Sequence, residues 1–306
     1  MDEKRPARGP IVSGEIAVRS PAKINWTLDV LGRRGGGYHE VRTILQTIAL
    51  SDTVTVATAD GLELELSGSF DPLRNEESAR NLAYRAAQLL RKEHQVGTGA
   101  LIKLEKRIPV AAGLGGGSSN AAATLRALRS LWRLSLTSDE LAAMAAKLGS
   151  DVPFFLTGGT ALGSGRGDEI SPLPDALPQR LVVAWPDLPA RDKTAQAYAA
   201  LKPEHYSDGT ATERLAERLS GGGSVANDDV HNVFEPALPS IDATAGQLFA
   251  DAHALGRPHL AGSGPAFFFL LAQAEPAEPI IQGLTSMGLD AIETNTIAAA
   301  EATESL

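Results

Sequence analysis

The chain has 306 residues, a formal charge of −9 and no cysteine. That length exceeds what one core usually supports, so two domains or one two-lobed domain are expected. The lack of cysteine excludes a disulfide framework and a thiolate metal site, and fits a reducing, cytoplasmic compartment. The acidic balance argues against nucleic acid as a partner, and no apolar run approaches the length of a membrane span.

Residues 1–13 carry charges and prolines and read as a disordered tail without the apolar centre of a secretory signal. Ile24, Trp26, Leu28 and Val30 then alternate with Asn25, Thr27 and Asp29, the pattern of a half-buried strand. Lys23 and Asn25 fall on the face opposite Ile24, so both can look into a cleft. A glycine turn over 32–37 follows, then strands at Glu40–Ile48, Thr53–Ala57 and Leu62–Leu66, and a helix over Asn81–Leu90. Ile102 and Leu104 mark a strand that feeds Pro109, Val110, Ala111, Ala112, Gly113, Leu114, Gly115, Gly116, Gly117, Ser118 and Ser119. Four glycines in this stretch allow close approach of backbone to a ligand, and Ala121, Leu125, Leu128 and Trp132 continue it as a helix with a buried stripe. The free amides and positive dipole end at such a helix start favour a phosphate.

Thr137-Ser-Asp-Glu140 is a capping box for the next helix, which ends at Gly149. The proline-rich 171–178 segment is a candidate boundary. Beyond it come a strand at Leu181–Ala184 and helices near Thr194–Leu201, Thr212–Leu219 and Ile241–Leu255, then a second glycine loop and an apolar strand, Phe267–Leu271. Glu301–Leu306 reads as a tail. Pattern alone gives a mixed α/β protein.

The loop is not of Walker A type, because no lysine follows a glycine anywhere in the chain. It resembles the Pro-x-x-x-Gly-Leu-Gly-x-Gly-Ser-Ser-x-Ala loop of the GHMP kinases, the superfamily of galactokinase and of homoserine, mevalonate and phosphomevalonate kinases. Ser20-Pro-Ala-Lys-Ile-Asn25 resembles the first motif of that family, and Leu260-Ala-Gly-Ser-Gly-Pro-Ala266 its third. Gly37-Tyr-His39, Gly149-Ser-Asp-Val-Pro-Phe154 and Asn232-Val-Phe-Glu235 are similar to the branch that phosphorylates a cytidylated methylerythritol in isoprenoid precursor synthesis.

The resemblance implies an α+β, two-domain GHMP kinase fold. Residues 14–170 would form a domain like the second domain of ribosomal protein S5, carrying the ATP phosphate loop, and residues 171–306 a ferredoxin-like domain. It implies ATP as co-substrate, Mg²⁺, and no nucleic-acid or membrane partner. Asp151 would accept the proton of the substrate hydroxyl, and Lys23 would pair with it and stabilise charge on the transferring phosphoryl. Asn81 and Lys106 match the adenine pocket, with the loop 109–119 around the phosphates. Asn25, Tyr38, His39, Thr194, Tyr198, Gly262, Ser263 and Gly264 would hold the acceptor, with an aromatic ring stacked on cytosine. The ligands of Mg²⁺ stay unassigned, with the hydroxyls of Ser118 and Ser119 as candidates. Val110-Ala-Ala stands where many relatives have Met-Gly-Gly, which predicts a stiffer loop. Asn232-Val-Phe-Glu235 lacks the acidic residue usual at its second position and reads as helix-start packing. Another small-molecule kinase of the superfamily, or an inactive nucleotide-binding regulator, remains open.

Overall fold

The structure, a computed structural model, describes residues 14–69, 78–188 and 193–306. The tail expected over residues 1–13 lies outside the described residues.

Two long antiparallel strands, β1 (Ile16–Arg33) and β2 (His39–Ala59), form the spine of a seven-stranded sheet. Beside β2 come β4 (Gly99–Lys106) and then β3 (Leu62–Gly68), in the order β3-β4-β2-β1. A short pair, β5 (Thr160–Ser164) and β6 (Glu169–Pro172), attaches to the other end of β2. The expected break between Ile48 and Thr53 is absent. Ala22 pairs with Ile48 and Pro21 with Ser51, so β2 bulges at Ala49–Leu50 without ending. A bulge bends a strand and keeps its pairing.

Helices α1 (Leu82–Glu93), α2 (Gly116–Leu131) and α3 (Ser138–Leu148) cover this sheet. Asn81 caps α1, its Oδ1 accepting from the Ala83 amide at 2.9 Å. Thr137 and Glu140 make the predicted capping box of α3. The stripe of α2, with Ala121, Leu125 and Leu128, is fully buried among Val54, Ile102 and Phe154. A one-turn helix, α4 (Phe154–Thr157), follows Asp151.

The second sheet has four strands in the order β11-β7-β10-β9, namely Leu289–Asn295, Arg180–Pro186, Phe267–Leu271 and His259–Leu260. Helices α5 (Lys193–Ala200), α7 (Leu238–Ile241), α8 (Ala243–Ala252) and α9 (Glu278–Ser286) belong to this half of the chain, while α6 (Thr210–Ser220) lies against β1 and β2 of the first sheet, its Thr212 hydroxyl bonded to Asp29. The two-residue strand β8 (His231–Asn232) leaves this half of the chain and runs parallel to β1 in the first sheet. Trp26 and Phe268, edge to face at 5.8 Å, belong to a core shared by the two sheets.

Two expectations need correction. Glu301–Leu306 is no loose tail: α10 spans Ala299–Ala302, Ser305 bridges to Val18, and the Leu306 amide donates to Ala17 O at 2.8 Å. Arg19 reinforces this seam through Glu301 and Glu304, both at 3.6 Å. The Asn232–Glu235 segment is not helix-start packing. Asn232 lies on β8, and pairing with β1 sets its conformation. Among the described residues no helix is long and apolar enough to cross a membrane.

Candidate active site

The bulged stretch of β1 presents Lys23 and Asn25 to a cleft of about 1110 Å³ lined by residues from both halves of the chain, among them Gly115, Asp151, Tyr198 and Gly262. Lys23 is buried, its Nζ donating to Asn25 Oδ1 at 2.8 Å and standing 3.8 Å from Asp151 Oδ2. Burial pushes the Lys23 ammonium below the usual lysine range, and the Asp151 charge pulls it back. Asn25 is fixed twice more: its Nδ2 donates to Thr43 Oγ1 at 2.7 Å, and its Oδ1 accepts from the Gly262 amide at 3.1 Å. Thr43 therefore touches the centre of the site, although nothing in its local sequence marks it.

Two glycine-rich segments meet here. Gly115 has φ +72°, and a Cβ on it would stand 2.8 Å from Phe155 Cζ and 3.0 Å from Lys23 Cγ. Gly113, at φ +89°, would drive a Cβ to 2.3 Å from Ala261 O, so the first glycine loop can lie on the second only as glycine. Gly262, Ser263 and Gly264 line the cleft opposite. Asn232 holds that second loop, its Nδ2 donating to Leu260 O and Gly262 O, both at 2.8 Å. Ala111 adopts φ +54°. A left-handed alanine stores on the order of 1–2 kcal/mol, so the loop is strained at this position.

Asn81, Lys106, Pro109, Val110, Ala111, Ala112, Gly113, Gly115, Gly116, Gly117 and Ser118 all line the same cleft. Leu114 and Ser119 do not. Leu114 is buried with its carbonyl accepting from the Lys23 amide at 2.9 Å, and the Ser119 hydroxyl turns inward to accept from Ser20 Oγ at 2.9 Å. Behind the loop, Lys106 pairs with the fully buried Asp52, and Asn120 joins both. Asp52 has no signal of its own in the sequence, whereas Asn120 belongs visibly to the Gly-Ser-Ser-Asn run. Burial depresses the Lys106 ammonium against the opposing pull of Asp52.

The other end of the cleft is aromatic. His39, Val41, Thr43 and Leu45 alternate along β2 and all face the cleft. His39 is buried, its ring 5.2 Å from Tyr198 on α5 and 6.1 Å from Tyr206. Its Nε2 has no partner, and burial, helped by Arg33, lowers its pKa. Tyr198 in turn meets Phe234 edge to face at 5.0 Å, and burial, then nearby Asp151, raises its phenol pKa. Thr194, four residues earlier on α5, lines the rim. Tyr38 is 55% exposed, and the Arg166 guanidinium lies 4.9 Å above its ring. Arg166 sits in the turn between β5 and β6, which no sequence pattern tied to Tyr38.

The cleft thus joins an amide-rich helix start, a lysine–carboxylate pair and an aromatic recess with an unpartnered imidazole nitrogen. Comparison with known proteins agrees with that arrangement. The family described as GHMP kinases N terminal domain matches residues 81–159. A 4-diphosphocytidyl-2-C-methyl-D-erythritol kinase from Geobacillus kaustophilus is 40% identical over 281 residues, 88% of this chain and 92% of that protein. The enzyme of the same name from Brevibacillus brevis is 38% identical over 94% of this chain and 98% of its own length. A crystal structure of 4-(cytidine 5'-diphospho)-2C-methyl-D-erythritol kinase superposes with a TM-score of 0.74 at 34% identity, covering 92% of this chain and 98% of that one. Homoserine kinase from Cytophaga hutchinsonii shares the fold, with a TM-score of 0.74 at 16% identity over 99% of this chain and 100% of its own. The chain belongs to the GHMP kinase family, within its 4-diphosphocytidyl-2-C-methyl-D-erythritol kinase branch.

Proposed function

We propose that the protein is an ATP-dependent kinase that phosphorylates the 2-hydroxyl of 4-diphosphocytidyl-2-C-methyl-D-erythritol, in the methylerythritol phosphate route to isoprenoid precursors. One observation carries this reading beyond the likeness to relatives. The Lys23–Asp151 pair lies in a single cleft between the glycine loop and the His39–Tyr198 recess. ATP phosphates fit the α2 start, and the cytosine ring fits the aromatic end.

In the transfer, the acceptor oxygen bonds to the γ-phosphorus as the bond to the bridging oxygen breaks, and ADP leaves. Positioning and charge neutralisation do most of this work. Asp151 takes the hydroxyl proton, and the Lys23 ammonium, held by Asn25, faces the developing charge. The amides of Gly116, Gly117 and Ser118 open α2 toward the phosphates.

Asp151 is the one carboxylate lining the described cleft, and no cluster of three metal-ligating side chains occurs among the described residues. That donor set suits Mg²⁺, which keeps its waters and relies on substrate phosphates. The Ser118 hydroxyl and the ATP oxygens would hold it, and it would neutralise phosphate charge. We place the protein in the cytoplasm and divide it into domains at 170/171. The first sheet's last hairpin ends at Pro172 and β7 of the second begins at Arg180, so the chain passes from one sheet to the other between these residues, just beyond that position.

The test is ATP consumption with the purified protein against the cytidylated methylerythritol, mevalonate and homoserine. Turnover is expected with the first alone. A higher kcat/KM for either of the others would overturn the assignment.

A further inference from the structure

Asp52 has no exposed surface and no part in the transfer chemistry. Its Oδ1 accepts from the backbone amides of Arg107 and Ile108, at 2.7 and 2.8 Å. Its Oδ2 accepts from Lys106 Nζ and, at 2.8 Å, from Asn120 Nδ2. Arg107 and Ile108 are the last residues before the glycine loop begins at Pro109, and Asn120 lies in α2 just after it ends. Both ends of the loop therefore close on one carboxylate. The second amide proton of Asn120 goes to Ser20 Oγ at 2.8 Å, which ties the same knot to β1, three residues before Lys23. Lys106 Nζ also donates to Asn120 Oδ1 at 3.1 Å and lies beneath the helix start, 3.3 Å from where a Cβ on Gly116 would be.

A buried ion pair is a poor device for stability, because desolvating two charges offsets their attraction and an apolar pair of similar volume often does as well. Here every contact of the carboxylate instead fixes a bound on the loop, and α2 cannot shift along β4 without breaking several of them. We propose that Asp52 is a positioning residue for nucleotide binding. It sets the span between the two ends of the phosphate loop and holds the Lys106 ammonium under the α2 N-terminus. The inference rests on the ATP-kinase reading of the cleft.

In Asp52→Asn, an amide nitrogen would face the Lys106 ammonium and the Asn120 amide, donor against donors. The KM for ATP is expected to rise about tenfold or more, since a hydrogen bond to a charged group is commonly worth that factor. The Kd for CMP, read by calorimetry, should stay within twofold. Asn120→Ala is the milder variant: it keeps the Asp52–Lys106 pair and the Asp52 bonds to the Arg107 and Ile108 amides, and releases α2 from Asp52, Lys106 and Ser20. Both Asn120 amide protons are engaged within the network, so it offers none to the nucleotide. There the ATP KM should rise about threefold, again with CMP unchanged. An ATP KM within twofold of wild type in the folded variants would overturn the proposal, as would parallel weakening of ATP and CMP. Absence of turnover by the wild type with the cytidylated substrate would instead count against the kinase reading itself.

Discussion

Asp151 and Lys23 carry the sharpest consequence at the level of single residues. Their contact is 3.8 Å with Asp151 partly open to the cleft, a geometry that leaves the carboxylate free for a substrate hydroxyl. Asp151→Asn should lower kcat by roughly 10²- to 10⁴-fold while ATP affinity, measured with a non-hydrolysable analogue, holds. A kcat within threefold of wild type would make Asp151 structural. At the aromatic end, Tyr38→Ala and His39→Ala should raise the KM for the cytidylated acceptor and spare that for ATP. Stacking on one base is worth about 1–3 kcal/mol, so the Tyr38 change should cost roughly five- to 150-fold. Equal losses for both substrates would trace to lobe packing rather than to base recognition. Lys23, Asp151 and the Tyr38–His39 step were readable because each sits in a short local pattern. Asp52, Thr43 and Arg166 were not. Asp52 lies 54 residues from Lys106 and 68 from Asn120, and only the β2–β4 register and the packing of α2 bring them together.

Among the elements, the α2 start discriminates between glycines that look alike in sequence. Gly115 has a left-handed φ and no room for a Cβ, whereas a Cβ on Gly117 would meet only Leu82 Cδ1, at 3.6 Å. Gly115→Ala should therefore lower the melting temperature as well as ATP affinity. Gly117→Ala should leave the melt unchanged or slightly raised, since alanine favours a helix over glycine by about 1 kcal/mol. Its added methyl should still weaken ATP, because Gly117 is exposed to the cleft where phosphates approach. Paired thermal melts and calorimetry separate the two cases, and a Gly117→Ala protein with full ATP affinity would remove the close-approach argument. The helices of the first half were legible from caps and periodicity, as Asn81 and Thr137 show. The short strands were not: β8 has two residues and exists only because β1 offers it an edge. The bulge that joins the two expected halves of β2 depends on Pro21 across the ladder, which no window on β2 itself contains.

For the whole molecule, one buried and one half-exposed histidine set opposing responses to pH. His259 is buried beside Phe268, and its pKa is pushed down to about 4, first by burial and then by Arg257. The unfolded chain takes up that proton near pH 6.5, well before the folded one does. The stability tied to neutral His259 is therefore present above pH 6.5 and lost as pH falls toward 4, by up to about 3 kcal/mol. His231 acts in the other direction. Its interaction with Asp29 raises its pKa, so that contribution is full below pH 6.5 and fades as pH rises through the raised value. Melts at pH 7.5 and 4.5 should show a smaller acid loss in His259→Leu than in wild type; equal losses would mean that other groups dominate.

The alternation of His39, Val41, Thr43 and Leu45 along β2 has a further meaning for selectivity. From His39 to Thr43 is four residues of strand, about 13 Å at the usual rise. The first meets the aromatic recess proposed for the base, and the last is bonded to Asn25 beside Lys23. The floor of the cleft is thus a measuring rod built into a paired strand, and it cannot stretch. An acceptor must be long enough to anchor at one end and present its hydroxyl at the other. On the proposed binding mode a short alcohol such as homoserine would reach either mark but not both, and length itself would reject it.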